Sequence, residues 1–207
     1  MSEYHCERAT SAHAPGLLAL FESAGSGCYC NYWHFQGDKN AWLERCFVQP
    51  EENRLALIAR LAAPELCGFV ARELGASDDA EIVGWLKVVP SMAVPRLYDQ
   101  RVYRRLPYFE AQTSEQRERT YTVACMYVAE RARGRGLASS LLSAAIAGAR
   151  DAGGLALEAF PRGAPSDGEA ALRPDEVWLG PERLYVSAGF RAVTDFRPYP
   201  VLRLDLA

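Results

Sequence analysis

The chain has 207 residues, of which 49% are hydrophobic and 24% charged, with a net charge of −3. That describes one globular domain, 1–207, able to bury roughly two-thirds of its unfolded surface, and the acidic balance argues against general nucleic-acid or anionic-membrane partners. No apolar run reaches the ~20 residues of a membrane helix and MSEYHCERAT lacks a signal peptide's apolar core, so a cytoplasmic protein is expected, with reduced thiols at Cys6, Cys28, Cys30, Cys46, Cys67 and Cys125.

In chain order, residues 3 to 9 read as a first strand, and Pro15 opens an apolar helix, PGLLALFES, that stops at Gly25. GSGCYCNYWHF follows and shows neither helical nor strand periodicity. Cys28, Cys30, His34 and Cys46 invite a metal reading, but C-x-C with a lone histidine lacks the paired spacing of zinc sites; buried structural thiols and no metal are expected. Tyr32, Trp33 and Phe35 belong either to the core or to a substrate pocket. NAWLERCF and residues 51–61 read as helices split by Pro50, then CGFVAREL and EIVGWLKVV as an antiparallel hairpin about GASDD. Trp85, in the second of these strands, is either a half-buried sheet residue or a stacking platform. Residues 90–119 form a long insertion, ordered over the acceptor side or acting as a lid. Its Tyr98, Tyr103, Tyr108 and Phe109 argue for order, and its Arg96, Arg101, Arg104 and Arg105 form a solvated face or meet an anion.

YTVACMYV, residues 121–128, is then an apolar strand, and Leu137, Leu141, Leu142, Ala145 and Ala149 recur at helical spacing as far as Gly153 and Gly154. Between them stand Arg133, Gly134, Arg135 and Gly136. Glycines let the backbone approach a ligand, the first helical turn has unpaired N–H groups, and arginine adds charge-assisted hydrogen bonds; the combination suits phosphate. A P-loop is improbable because the chain's lysines are Lys39 and Lys87 alone. A dinucleotide fingerprint would want glycine at Ser139 and more βα units than the residues after Gly154 supply, although Glu158 lies at a suitable distance for a ribose contact. LALEAF, 155–160, should run parallel to the 121–128 strand through a right-handed crossover. Pro161 to Leu179 reads as a loop bordering the site, PERLYVSA as a short helix closed by Gly189, and 190–196 and 199–206 as final strands.

Val128 to Ala138, VAERARGRGLA, resembles the acetyl-CoA pyrophosphate loop of the GNAT superfamily of N-acetyltransferases, whose signature R/Q-x-x-G-x-G/A reads here from Arg133 to Ala138; Tyr185-x-x-x-Gly189-Phe190 follows in the family's order. The resemblance covers 120–196. It implies an α/β (α+β) fold with a mixed, mostly antiparallel central sheet, a splayed parallel central strand pair, and flanking helices. It also implies acetyl-CoA as donor, its pantetheine arm along Met126, Tyr127 and Val128 and its phosphates at Arg133, Gly134, Arg135, Gly136, Leu137, Ala138 and Ser139. Tyr185 would protonate the departing thiolate, a role a phenol of ordinary pKa about 10 can fill at hydrogen-bond range; a core tyrosine beside a helix C-cap is the alternative. Where some members carry a glutamate this chain has Thr122, so that role does not carry over. Glu158 is the substitute candidate for the base, ahead of Glu110 and Asp99. Tyr32, Trp33 and Trp85 are the candidate acceptor contacts. The acceptor, a small-molecule or peptide amine, and a homodimer are left open. The rival from another class is a non-catalytic acyl-CoA sensor.

Overall fold

A computed structural model describes residues 3–75, 80–163, 177–194 and 196–206. After β1 (Tyr4–Arg8) comes α1 (Ala14–Ser23), whose Leu17, Leu18, Leu20 and Phe21 are buried. Asp38 caps α2 (Lys39–Phe47), its carboxylate accepting from the Ala41 N–H at 2.9 Å. Pro50 both ends that run and opens α3 (Pro50–Ala62), where its missing N–H would have been unpaired anyway. Then come β2 (Phe69–Glu73) and β3 (Gly84–Pro90); most of the expected turn between them lies outside the described residues. The insertion carries three short helices, α4 (Pro95–Tyr98), α5 (Pro107–Glu110) and α6 (Ser114–Glu118). β4 (Thr120–Val128), α7 (Leu137–Asp151) and β5 (Ala156–Ala159) form the crossover unit, followed by α8 (Glu182–Ser187), β6 (Arg191–Ala192) and β7 (Leu202–Asp205). The last two strands are shorter than the sequence pattern suggests, because Pro198 and Pro200 lie between them and cannot donate to a ladder.

The described strands form one sheet in the order β1-β2-β3-β4-β5-β7-β6. Only β4 and β5 pair in parallel; the other described neighbours are antiparallel. This is the mixed sheet with a parallel central pair that the sequence led us to expect. The parallel pairing covers only Thr120–Thr122 against Ala156–Glu158. Beyond it the two strands diverge, and a bulge at Ala124, where the register with β3 shifts, turns the rest of β4 away. No described helix is long and apolar enough to cross a membrane.

α7 buries the predicted stripe of Leu137, Leu141, Leu142, Ala145 and Ala149 against β1 to β5. Contact is close: a Cβ at Gly84 would sit 3.0 Å from both Leu137 and Leu141. Side chains alternate along β3, so Trp85 and Lys87 point to the opposite face. There Lys87, with no exposed surface, donates from Nζ to the Cys30 carbonyl at 2.7 Å. Lys87 stands in register with Cys125, which brings Cys125 and Cys30 together, and the two are joined as a disulfide with Cα atoms 6.3 Å apart. The expectation of six reduced thiols is corrected for this pair.

Burial lowers the Lys87 ammonium to about 8, with Arg60 adding repulsion. An unfolded lysine titrates near 10.4, so between about pH 8 and 10 the unfolded chain binds the additional proton and this residue's contribution to stability rises with pH. The Cys6 and Cys46 thiols, pushed up to about 11 mainly by burial, act oppositely above pH 9. A comparison with Lys87→Met cancels them. The variant should gain on wild type at pH 7, by up to about 3 kcal/mol, and lose that advantage by pH 10. Thermal unfolding at the two pH values measures this, and a difference independent of pH would show that Lys87 does not titrate in that window.

Candidate active site

Where β4 leaves β5, a cleft of about 600 Å³ opens. One wall is the end of β4, with Met126, Tyr127 and Val128. The floor is the turn into α7, and the far wall is Val177 with Gly180 and the α8 residues Arg183, Leu184 and Ser187. Arg133 Nε donates to the Val128 carbonyl at 3.0 Å, holding the turn against the strand. Gly134 and Gly136 have φ of 74° and 81°, and a Cβ at either would meet nothing within 4 Å. They are glycines for their left-handed backbone, and the space a side chain would take is open. The N–H groups of Leu137 and Ala138 begin a helix and have no acceptor within it. An open, glycine-lined helix start beside an arginine fits a diphosphate.

Every residue expected at the cofactor lines this cleft except Arg135. Its guanidinium pairs with Glu3 at 3.0 Å and Glu73 at 3.4 Å and lies over the Tyr4 ring, so it braces the turn against β1 and β2. Arg183 and Ser187 join the site through a signal already present in PERLYVSA: one helical turn apart, they fall on the same face, toward the turn.

Tyr185 is fully buried and does not itself line the cleft; its hydroxyl donates to the Leu179 carbonyl behind it. Burial pushes its phenol well above the ordinary value, so it keeps its proton through neutral pH. Close by in the chain, the Trp178 carbonyl accepts from the Met126 N–H at 2.8 Å. One short segment therefore holds both the β4 amide and the phenol. Val177 and Gly180 line the cleft, whereas Trp178 and Leu179 line a second cavity of about 470 Å³. The segment is the partition between them. Most of the loop that precedes it, expected at 161–179, lies outside the described residues.

The expected acceptor contacts separate. Trp33 is 6% exposed, lines the second cavity, and stacks on Trp178 with centroids 5.2 Å apart. Tyr32 packs edge-on to Trp178 and carries the Arg96 guanidinium over its ring at 4.6 Å. Arg96 also donates to the Phe35 and Gly37 carbonyls, so it clamps this loop and does not serve as a free anion site. Trp85 is corrected: it has no exposed surface and packs in the main core, because its position in β3 faces inward beneath Gly68.

Glu158 is also buried completely and lines neither cavity. Its carboxylate accepts from Tyr98 at 2.8 Å, Tyr108 at 2.6 Å, Gln112 at 3.0 Å and Arg203 at 3.4 Å. A carboxylate so fully engaged is a strut between the insertion and the sheet, not a base facing a substrate. Among the described residues no group of three His, Cys, Asp or Glu side chains could hold a metal ion. Burial pushes the Cys46 and Cys67 thiols up and the His34 imidazole down to about 2, which removes thiolate chemistry from this region.

The profile of the acetyltransferase (GNAT) family matches residues 51–168, which takes in β4, the turn and α7. No curated protein sequence matches the chain. Among solved structures it is similar to yncA, a putative acetyltransferase from Salmonella typhimurium with its cofactor acetyl-CoA, at 16% identity and a TM-score of 0.53, covering 100% of this chain and 95% of that one. It is similar to the Escherichia coli GNAT N-acetyltransferase YhbS in complex with CoA at 15% identity and a TM-score of 0.52, covering 100% and 83%. The PaiA N-acetyltransferase of Thermoplasma acidophilum in complex with coenzyme A has 12% identity and a TM-score of 0.53, with 99% of each chain covered.

Proposed function

Because this chain belongs to the acetyltransferase (GNAT) family, we propose that it transfers the acetyl group of acetyl-CoA directly to a primary amine. The observation that carries the reading is the cleft itself: a diverging parallel strand pair whose opening ends on a glycine turn and a helix start. Structures of this fold that hold acetyl-CoA or CoA support the choice of donor.

The steps follow from the groups present. The amine nitrogen attacks the thioester carbonyl carbon, and the Met126 N–H, on the edge of β4 away from β3, stabilises the oxyanion once the Trp178 carbonyl has been displaced from it. The C–S bond then breaks, and the thiolate takes the Tyr185 proton. Both donors are held by the carbonyls of Trp178 and Leu179, so the donor must displace that segment before an amine can react, and binding is ordered. No carboxylate lines the cleft or the second cavity among the described residues. The amine nitrogen sheds a proton as the amide forms, and that proton returns through water to the Tyr185 phenolate, which restores the acid for the next turnover.

Tyr185→Phe should lower kcat roughly 10- to 100-fold while acetyl-CoA affinity stays within about twofold. Stopped-flow release of CoA thiol with a reactive amine, beside calorimetric titration, measures both. An undiminished kcat would make Tyr185 a core residue only. The same two carbonyl bonds favour a second reading, a non-catalytic acyl-CoA sensor in which the segment never yields. Acetyl-CoA binding without turnover across a broad amine panel would select it.

A further inference from the structure

The second cavity lies across the Val177–Pro181 partition from the cleft. Of its lining, Trp33, Tyr103, Phe160, Trp178 and Tyr199 are aromatic, and Leu97 adds an aliphatic wall. Its volume of about 470 Å³ falls in the range of small-molecule sites. The aromatic wall is fixed from several elements: Trp33 stacks on Trp178, and Tyr103 packs edge-on to Phe160 with centroids 4.9 Å apart. Gln100 and Arg162 are the polar members of the lining, so a polycation such as a polyamine or an aminoglycoside would meet like charge there.

Resting on the acetyl-transfer reading, we infer that this cavity is the acceptor site and takes a primary amine on a flat aromatic body. The ring lies among the aromatic walls and the amine points to the partition. On transfer the C–S bond breaks as the amine nitrogen forms the new C–N bond, CoA leaves as the thiol with the Tyr185 proton, and the proton lost by the nitrogen returns through water to the Tyr185 phenolate.

Two readouts test this. Binding of phenylethylamine, followed by intrinsic tryptophan fluorescence, needs no acetyl-CoA and should saturate. Turnover at saturating acetyl-CoA should give a kcat/KM for that amine roughly 100-fold above spermidine, kanamycin or an alanyl peptide. Val102→Trp, at the half-buried rim, fills the cavity, and Tyr199→Ala removes a wall without touching the core. Each should raise KM for the aryl amine roughly 30-fold and leave acetyl-CoA affinity unchanged. Saturable amine binding without acetyl-CoA binding would overturn acetyl transfer and leave the cavity assignment standing. Acetyl-CoA turnover that prefers a polyamine or peptide, or is indifferent to Val102→Trp, would overturn the cavity assignment alone.

Discussion

Gly136→Glu should weaken acetyl-CoA binding by at least roughly 100-fold, about 3 kcal/mol, in a calorimetric titration. Three effects add. Gly136 has φ of 81°, where a side chain costs about 1–2 kcal/mol, so the start of α7 would be strained. A Cβ there meets nothing within 4 Å, so the fold tolerates it, but the carboxylate enters the space a diphosphate would fill. The added charge also opposes an anion at the positive end of a helix of 15 residues. Gly136→Ala separates these effects: it carries only the backbone strain and should lose about tenfold. NAD and ATP serve as comparators, and should not bind either form. Unchanged acetyl-CoA affinity in the glutamate variant would remove the turn from the site and the proposed function with it.

What the sequence disclosed and what it hid divide along a physical line. The stripe from Leu137 to Ala149 and the β-rich run before it are local patterns, and they appear as α7 and β4 almost residue for residue. The glycine turn between them is local as well. The parallel pairing of β5 followed from the helix that joins it to β4. Arg135 was misplaced because successive residues of a turn leave on opposite sides, and only the positions of Glu3 and Glu73, far off in the chain, decide which side is which. Trp85 was misplaced for the analogous reason, since which face of a strand meets helices depends on the rest of the fold. Lys87 carried no signal at all. A lysine amid valines reads as an exposed position, and its actual burial rests on one carbonyl supplied by Cys30. The partition was equally illegible, because its two hydrogen bonds use backbone carbonyls that no residue type advertises.

Glu158→Ala should destabilise the protein by roughly 3–5 kcal/mol in urea, the range for breaking a buried, charge-bearing network. The Tyr98 and Tyr108 hydroxyls and the Gln112 amide would lose this acceptor at once, and the Arg203 guanidinium would keep Asp205 and the Tyr108 hydroxyl alone. Burial, reinforced by the neighbouring carboxylate, holds both phenols above their ordinary values, so they remain donors. Tyr98 also bonds the Thr122 hydroxyl, which ties α4 to the last residue of β4 that pairs with β5. The network thus fixes the point at which the strands part, and its loss should loosen the cleft as well as the insertion. Glu158→Gln retains one acceptor oxygen and the side-chain shape, and should cost about half as much. That variant decides the role. A positioning residue predicts a kcat within about threefold of wild type below the variant's unfolding transition, with the acid limb of the pH–rate profile unmoved. A general base predicts a fall of roughly 100-fold or more and the disappearance of that limb, with stability nearly intact. The geometry favours the first outcome, because a carboxylate that is completely buried and lines neither cavity does not reach an amine in either.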